Sequence, residues 1–486
     1  MSVPKSRVTL LMAEPPNSGG RFVLYWMIAA RRTRFNFALD RALELARELE
    51  RPLVVLEALR VGYAWASERI HAFVLEGMRD NARAFARSDV HYYPYIEPKA
   101  GAGSGLLAAL AEQACVVVTD DSPAFFLPRM RARAREQVRV RFEAIDGNGL
   151  LPLSFSEGRI FVSAYSFRRF MQKNVDRALL DMPTPDPLSR RKLPKLSYSL
   201  RAIERRYPPA ALADLAALVA ALPIDHDVKK APHLSGGQDA AQERLQSFLA
   251  RGLGDYAEGR NHPDRHAASG LSPYLHFGQI STHAMFHALC EVEHWDGMPR
   301  GEQQRGTRHG FWGLSVNAEA FLDELITWRE LALNAAATMP HYGRYGSLPE
   351  WAKKTLAVHA ADTRPQTYSL AQLERAQTDD AIWNAAQTEL VREGRMHNYL
   401  RMLWGKKILE WSNTPQVALK RMIQLNNKYA LDGRDPSSYA GIFWVLGRYD
   451  RPWGPERAIF GTIRFMSSAA TKRKLELKQY LARYGS

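Results

Sequence analysis

The chain has 486 residues, enough for two or three domains each with its own core. Lys and Arg number 66 against 51 Asp and Glu, a net charge of +15 that favours a polyanionic partner such as nucleic acid or an anionic membrane. Two cysteines, Cys115 and Cys290, are too few for a zinc site, an iron–sulfur cluster or a disulfide framework, and no apolar run reaches the ~18 residues of a membrane span. The expectations are a reducing cytoplasm, no metal and no membrane. The opening MSVPKSRVTLLMAEPP has a short apolar run cut by Pro15 and Pro16, and does not read as a signal peptide.

Over the first 150 residues two patterns alternate. Apolar, β-branched runs at 23–27, 52–59, 90–96 and 116–119, with a weaker fifth at 141–145, read as strands. Helical patterns lie between them at 36–50, 68–87, 104–113 and 128–137. This alternation predicts an α/β domain over residues 1–180, an open parallel sheet of Rossmann-like build covered by helices on both faces, although no GxGxxG follows the first strand. A polar, Pro-rich stretch over 181–238, including MPTPDPLSRRKLPKLS and APHLSGGQ, reads as an interdomain connection with some helix inside. Residues 239–486 carry almost no strand pattern and predict a large, aromatic-rich helical domain.

Candidate chemistry lies in that second half. In YAEGRNHPDRHAASGLSPYLHFGQIS, residues 256–281, Ser269-Gly270-Leu271-Ser272 precede Pro273 and a helical pattern. Hydroxyls and N–H groups at a helix start can hold a phosphate, and the same residues cap ordinary helices. In FLDELITWREL, residues 321–331, Glu324 and Trp328 are four apart and share a helix face, where a carboxylate beside an indole could meet a flat ligand. Residues 383–411 form one helical region with three tryptophans. Trp404 and Trp411 are two turns apart, so their rings can lie on one face about 10 Å apart, a plausible electron step. The spacing of Trp383 suits a third ring on a neighbouring helix. From 425 to 466, Asn426, Asp432, Asp435 and Trp444 fall in a turn-rich segment, followed by Arg451, Arg457 and Arg464 interleaved with Trp453 and Phe465, then by Lys472-Arg473-Lys474. Cations among aromatics suit a phosphodiester backbone with exposed bases.

The segments SGLSPYLHFGQIS, FLDELITWRE, GRMHNYLRMLWGKKILEW, LDGRDP and IRFMSSAATKRK, in this order, resemble the DNA photolyases, most closely the class II cyclobutane pyrimidine dimer photolyases of the photolyase/cryptochrome superfamily. They span about half the chain, from Tyr256 onward; YWMIAARRTRFNFAL and VVVTDDSP more loosely resemble strands of the family's first domain. The resemblance implies FAD in the helical domain, with Tyr256, Ser269, Gly270, Leu271 and Ser272 at its phosphates and ribitol. It implies Arg401 and Asp432 as a salt-bridged pair beside the isoalloxazine and Asn426 facing flavin N5. Trp404, Trp383 and Trp411 would carry electrons inward, in an order the sequence leaves open. Glu324 would hydrogen-bond a flipped-out thymine dimer, Trp328 and Trp444 would pack on it, and Met402 would touch it. Arg260, Arg451, Trp453 and Arg464 would hold UV-damaged DNA, without sequence preference, or fill the gap left by the flipped bases. The implied enzyme is a light-driven carbon–carbon lyase, expected to be monomeric, with a deazaflavin antenna or no second chromophore.

The chain departs from the class II pattern at Asn398, Asn427, Ser437-Ser438, Gly447-Arg448-Tyr449-Asp450, Pro455 and, in the first domain, Ile28-Ala29-Ala30. The alternatives are a cryptochrome-like photoreceptor, a (6-4) photoproduct photolyase with His276 or His397 as acid, and a helical DNA-binding protein without catalysis.

Overall fold

The computed structural model describes residues 2–189, 192–295, 297 and 305–485; Arg190 and Arg191, within the expected connection, lie outside the described residues. The first domain is built on strands β1 (Val8–Met12), β2 (Phe22–Met27), β3 (Leu53–Leu59), β4 (His91–Ile96), β5 (Ala114–Asp120) and β6 (Arg141–Ile145), in the order β1-β6-β5-β2-β3-β4. The central strands FVLYWM and ACVVVTD are buried at every residue, because crossover helices such as Phe37–Glu48 and Glu68–Phe85 cover both faces.

The sheet is not wholly parallel, as the strand pattern had predicted. β1 runs antiparallel to β6, pairing Val8 with Ile145. As an edge strand it is buried on neither face, so VTLLM lacks the continuous burial that marks the others. The strand order reverses between β5 and β2, where a crevice usually opens. Here Asp120 fills it: one carboxylate oxygen accepts the N–H groups of Ile28, Ala29 and Ala30 at 2.8, 2.7 and 3.0 Å.

The connection carries two short helices, Arg201–Arg206 and Leu215–Ala220, and docks on the sheet domain, where Tyr93 donates its hydroxyl to the Tyr207 carbonyl at 2.5 Å. The helix Ala164–Leu179, which precedes the expected boundary at 180, shares its apolar core with the helices Gln238–Arg251 and Val316–Leu322 rather than with the sheet. From 239 on, no strand occurs among the described residues.

Buried polar contacts lock the two bodies together. Glu330 accepts the N–H groups of Leu150 and Leu151 at 2.6 and 3.1 Å. Arg32 donates to the carbonyl of Gly278, whose φ of +68° and close approach to the Ala29 carbonyl leave no room for a Cβ. Arg69 donates to the Val391 carbonyl at 2.6 Å and the Tyr429 carbonyl at 2.8 Å, satisfying orphan carbonyls at the C-terminal ends of the helices Ala381–Glu393 and Pro415–Tyr429 from across the domain boundary. Among the described residues no helix is long and apolar enough to cross a membrane, and no group of three His, Cys, Asp or Glu could hold a metal.

Candidate active site

The region 383–411, expected as one helical stretch, is two helices, Ala381–Glu393 and Asn398–Glu410, separated at Gly394 with φ +69°. The break folds the first helix back against the second and slots Trp383 between the other two indoles. Trp383 stacks on Trp404 with centroids 6.5 Å apart and planes 4° apart, and meets Trp411 edge-on at 5.4 Å. The indole N–H of Trp383 donates to the Trp404 carbonyl at 3.1 Å, and that of Trp404 to Gln387 at 2.9 Å, so both buried rings are fixed in orientation. The contact order is therefore Trp404, Trp383, Trp411.

One turn before Trp404, the same helix carries Arg401. Its guanidinium lies 3.5 Å from Asp432, too poorly aligned for a hydrogen bond, and reaches the Ser438 hydroxyl at 3.3 Å. Ser438 also accepts from the Asn426 amide at 2.9 Å, and that amide reaches the Gly433 carbonyl at 2.9 Å. Arg401, Asp432 and Asn426 thus converge through Ser438, which the sequence marked only as a departure from the class II pattern. Arg401 Nε and Asp432 Oδ1 are both buried without a hydrogen-bond partner. A buried donor and acceptor left open side by side are costly unless a ligand satisfies them, and together they could serve a ligand edge that carries both donors and acceptors.

The loop through Ser269 and Gly270 is held by Arg244, which donates to the carbonyls of Ala268 and Ser269 at 2.9 and 2.6 Å. Gly270 takes φ +68°, where a Cβ would meet that guanidinium at 2.9 Å. Leu271 is buried and Ser272, exposed, starts the helix Ser272–His276. This loop makes no hydrogen bond to Arg401, Asp432 or Asn426 among the described residues. Tyr256 is buried, edge-on to Phe321 at 5.4 Å, and burial raises its hydroxyl pKa.

Glu324 and Trp328 lie on a π-helical turn, Asp323–Trp328, rather than on the α-helix their spacing suggested. Such turns recur at functional sites because they re-aim a side chain within a continuous helix. Glu324 pairs with Arg260, whose guanidinium covers the Tyr256 ring at 5.4 Å. The Glu324 side chain is 34% exposed at the rim. Burial of its carboxyl raises its pKa, against the opposing pull of Arg260. Arg260, expected among the DNA-holding or gap-filling residues, thus has a carboxylate partner in the structure. Trp328 meets Tyr449 edge-on at 6.5 Å.

The departures at 447–450 are structurally employed. Gly447 has φ +104° and packs against Ala352; Arg448 covers Phe443 at 3.9 Å; Tyr449 faces Trp328; Asp450 accepts Arg464 at 3.0 and 3.2 Å and the Trp453 indole N–H at 3.0 Å. Trp453 is covered by Arg464 at 3.8 Å and Arg451 at 4.4 Å, and Arg464 also lies 5.5 Å from Trp444. Met402 rests against Gly441, on the helix Pro436–Val445 that carries Trp444. The alternative acids behave differently. His276 faces Asp435 in the interdomain cleft at 3.4 Å, and burial lowers the His397 pKa to about 4, so that ring is neutral at physiological pH.

The architecture, a mixed α/β sheet domain joined to a large helical domain, is that of solved photolyase and cryptochrome structures. A class III photolyase from Agrobacterium tumefaciens superposes with a TM-score of 0.70 at 18% identity, covering 97% of this chain and 88% of that one. A Synechocystis cryptochrome superposes with a TM-score of 0.70 at 15% identity, covering 97% and 89%. No protein-family model matches the sequence. Among curated proteins, the chain is 33% identical over 477 residues to the deoxyribodipyrimidine photo-lyase of Methanothermobacter thermautotrophicus, covering 98% of this chain and 97% of that protein. It is 35% identical over 496 residues to the rice (Oryza sativa) deoxyribodipyrimidine photo-lyase, covering 98% and 90%, and 31% identical over 462 residues to that of Potorous tridactylus, covering 94% and 80%. The chain belongs to the deoxyribodipyrimidine photo-lyases, flavoprotein lyases of DNA repair within the photolyase/cryptochrome superfamily.

Proposed function

We propose that this chain is a class II enzyme that binds FAD and splits cyclobutane pyrimidine dimers in UV-damaged DNA under light. The observation that carries the reading is the Trp404–Trp383–Trp411 contact chain, which begins on the helix that bears Arg401 and Met402. When bound, reduced FAD supplies the photoexcited electron for lesion splitting. Arg401 and Asp432 hold the ring edge through the two polar atoms they leave open, and Asn426, oriented by Gly433 and Ser438, faces it. Tyr256 and residues 269–272, braced by Arg244, hold the phosphates and ribitol.

Glu324 hydrogen-bonds the pyrimidine edge when DNA competes for its partner Arg260, while Trp328 and Trp444 cover the ring faces and Met402 fills beside them. Flipping the dinucleotide costs a few kcal/mol, and aromatic packing at ~1–3 kcal/mol per base offsets most of it. Arg451 and Arg464, stacked on Trp453, provide backbone affinity and an aromatic plug for the vacated duplex; Arg260 joins them when DNA competes for it. A neutral, half-buried His397 and a His276 turned toward the interdomain cleft support dimer splitting over (6-4) repair, which needs an imidazolium at the lesion. The reading includes a monomer working in the cytoplasm.

The cleft beside Asp120 encloses about 50 Å³, little room for a deazaflavin antenna. A cavity of about 390 Å³ bounded by Tyr63, Trp65 and Gln424 has the size for a planar chromophore, and the absorption spectrum of the purified protein tests for one. The deciding assay is light-dependent repair of dimer-containing and (6-4)-containing oligonucleotides side by side. Splitting of the cyclobutane dimer alone is expected; an untouched dimer under full reduction overturns the reading.

A further inference from the structure

Lys406 has no part in the mechanism above, yet it is fully buried behind the lesion-facing ring of Trp444. Its ammonium donates to the carbonyl of Val445 at 2.6 Å, at the end of the helix Pro436–Val445, where a cation complements the unsatisfied carbonyls. The same nitrogen lies 5.1 Å from the centroid of the Trp444 ring, and Arg464 approaches that ring at 5.5 Å. The close approach is built in at Gly405, where a Cβ would lie 2.6 Å from a Val445 methyl.

Burial without a carboxylate partner brings the lysine pKa down to about 7; Asp450 pulls it up and Arg464 pushes it down. Those two groups, both from the segment after the helix Pro436–Val445, are the charges that act on it. The three helices packed on its own, Ala381–Glu393, Pro415–Tyr429 and Pro436–Val445, add none.

We propose that Lys406 is a positioning residue for Trp444 whose ammonium, held under the ring by the Val445 carbonyl, supplies the positive charge that stabilises the electron arriving on the lesion stacked against the other side. This rests on the reading of Trp444 as a lesion-packing ring. No bond is made or broken at Lys406. The electron comes and returns, and the ammonium is worth more in this dry site than it would be in water. Arg464 is bound to Asp450 and so contributes little net charge there. Lys406 alone switches the local charge between positive and neutral, and it does so close to neutral pH.

The test is the yield of dimer splitting under light, with the flavin reduced beforehand and a dimer-containing duplex at saturation, measured from pH 6 to pH 9. Wild type is expected to lose yield as pH rises through the lysine titration. Lys406→Met should show the low, high-pH level throughout, and Lys406→Arg should restore the high level with no such dependence. If Lys406→Met does not fold, Asp450→Asn replaces it: removing the carboxylate that supports the charge should move the wild-type midpoint to lower pH. A wild-type profile flat over this range, a Lys406→Met profile that coincides with a sloping wild-type one, or an unmoved midpoint in Asp450→Asn overturns the proposal. A wild type that splits no dimer at any pH overturns the function itself, and this inference with it.

Discussion

Trp383 is the middle of the ring chain, and both of its neighbours touch it. Replacing it by phenylalanine leaves a ring of similar shape that is far harder to oxidise. Trp383→Phe is therefore expected to abolish photoreduction of the oxidised flavin, read as persistence of its visible absorption under blue light, while chemical reduction restores repair. Photoreduction at the wild-type rate would mean that electrons enter by another route. The Arg401 and Asp432 side chains are each only 12% exposed, and either alone would leave a buried charge without its counterion. Arg401→Ala or Asp432→Ala should cost about 3–5 kcal/mol through that unpaired charge and release flavin during purification, measured as the flavin-to-protein absorbance ratio. A full flavin complement in both variants would remove the pair from the cofactor site.

At the scale of elements, the site depends on two helices meeting closely. Gly405 lets the helix Asn398–Glu410 approach Val445 and Met422; a methyl group there would lie 2.6 Å from one and 3.1 Å from the sulfur of the other. Gly405→Ala is expected to destabilise by about 1–3 kcal/mol, the usual range for overpacking. It should also shift Trp444 relative to Arg401, lowering repair yield more than flavin content. Thermal unfolding and a repair assay on one preparation check both, and an unchanged melting temperature would mean that the helices have slack. The π-helical turn at Asp323–Trp328 belongs to this scale too, since it aims Glu324 at Arg260 and leaves Trp328 against Tyr449.

At the scale of the molecule, the two bodies are joined by buried polar contacts, and the one at Glu330 responds to pH. Burial raises the Glu330 pKa from 4.5 to about 7, although the Leu150 and Leu151 N–H groups and nearby arginines oppose it. The folded state holds this proton more tightly than the unfolded chain. Its contribution to stability is therefore fully present below pH 4.5 and lost as pH rises through about 7, an effect on the order of 3 kcal/mol. Urea unfolding over this range should show the slope in wild type and lose it in Glu330→Gln; equal slopes would assign the pH dependence elsewhere. DNA affinity should fall steeply with salt, and Arg451→Ala and Arg464→Ala should each reduce the logarithmic slope by about one if each meets one phosphate. Unchanged slopes in both would exclude them from the interface.

The strand and helix alternation of the first domain was legible in the sequence because β2, β3 and β5 are buried almost throughout and therefore almost continuously apolar. The second half was legible through runs such as FLDELITWRE and GRMHNYLRMLWGKKILEW, whose aromatic and charged residues carry the family resemblance. These local signals identified the family and named Arg401, Asp432 and Asn426, which the fold brings together through Ser438. Other features were decided only by contacts between residues far apart in the chain. β1 is a strand because β6 pairs with it, not because VTLLM requires it. The two helices carrying the tryptophans separate at Gly394, and Arg69, more than 300 positions earlier, caps the first of them. Asp450 organises Arg464 and Trp453, and Lys406 ends up dry beneath Trp444. A lysine next to a second lysine reads as part of a solvated face; only the approach of a second helix, permitted by Gly405, removes its water and lowers its pKa.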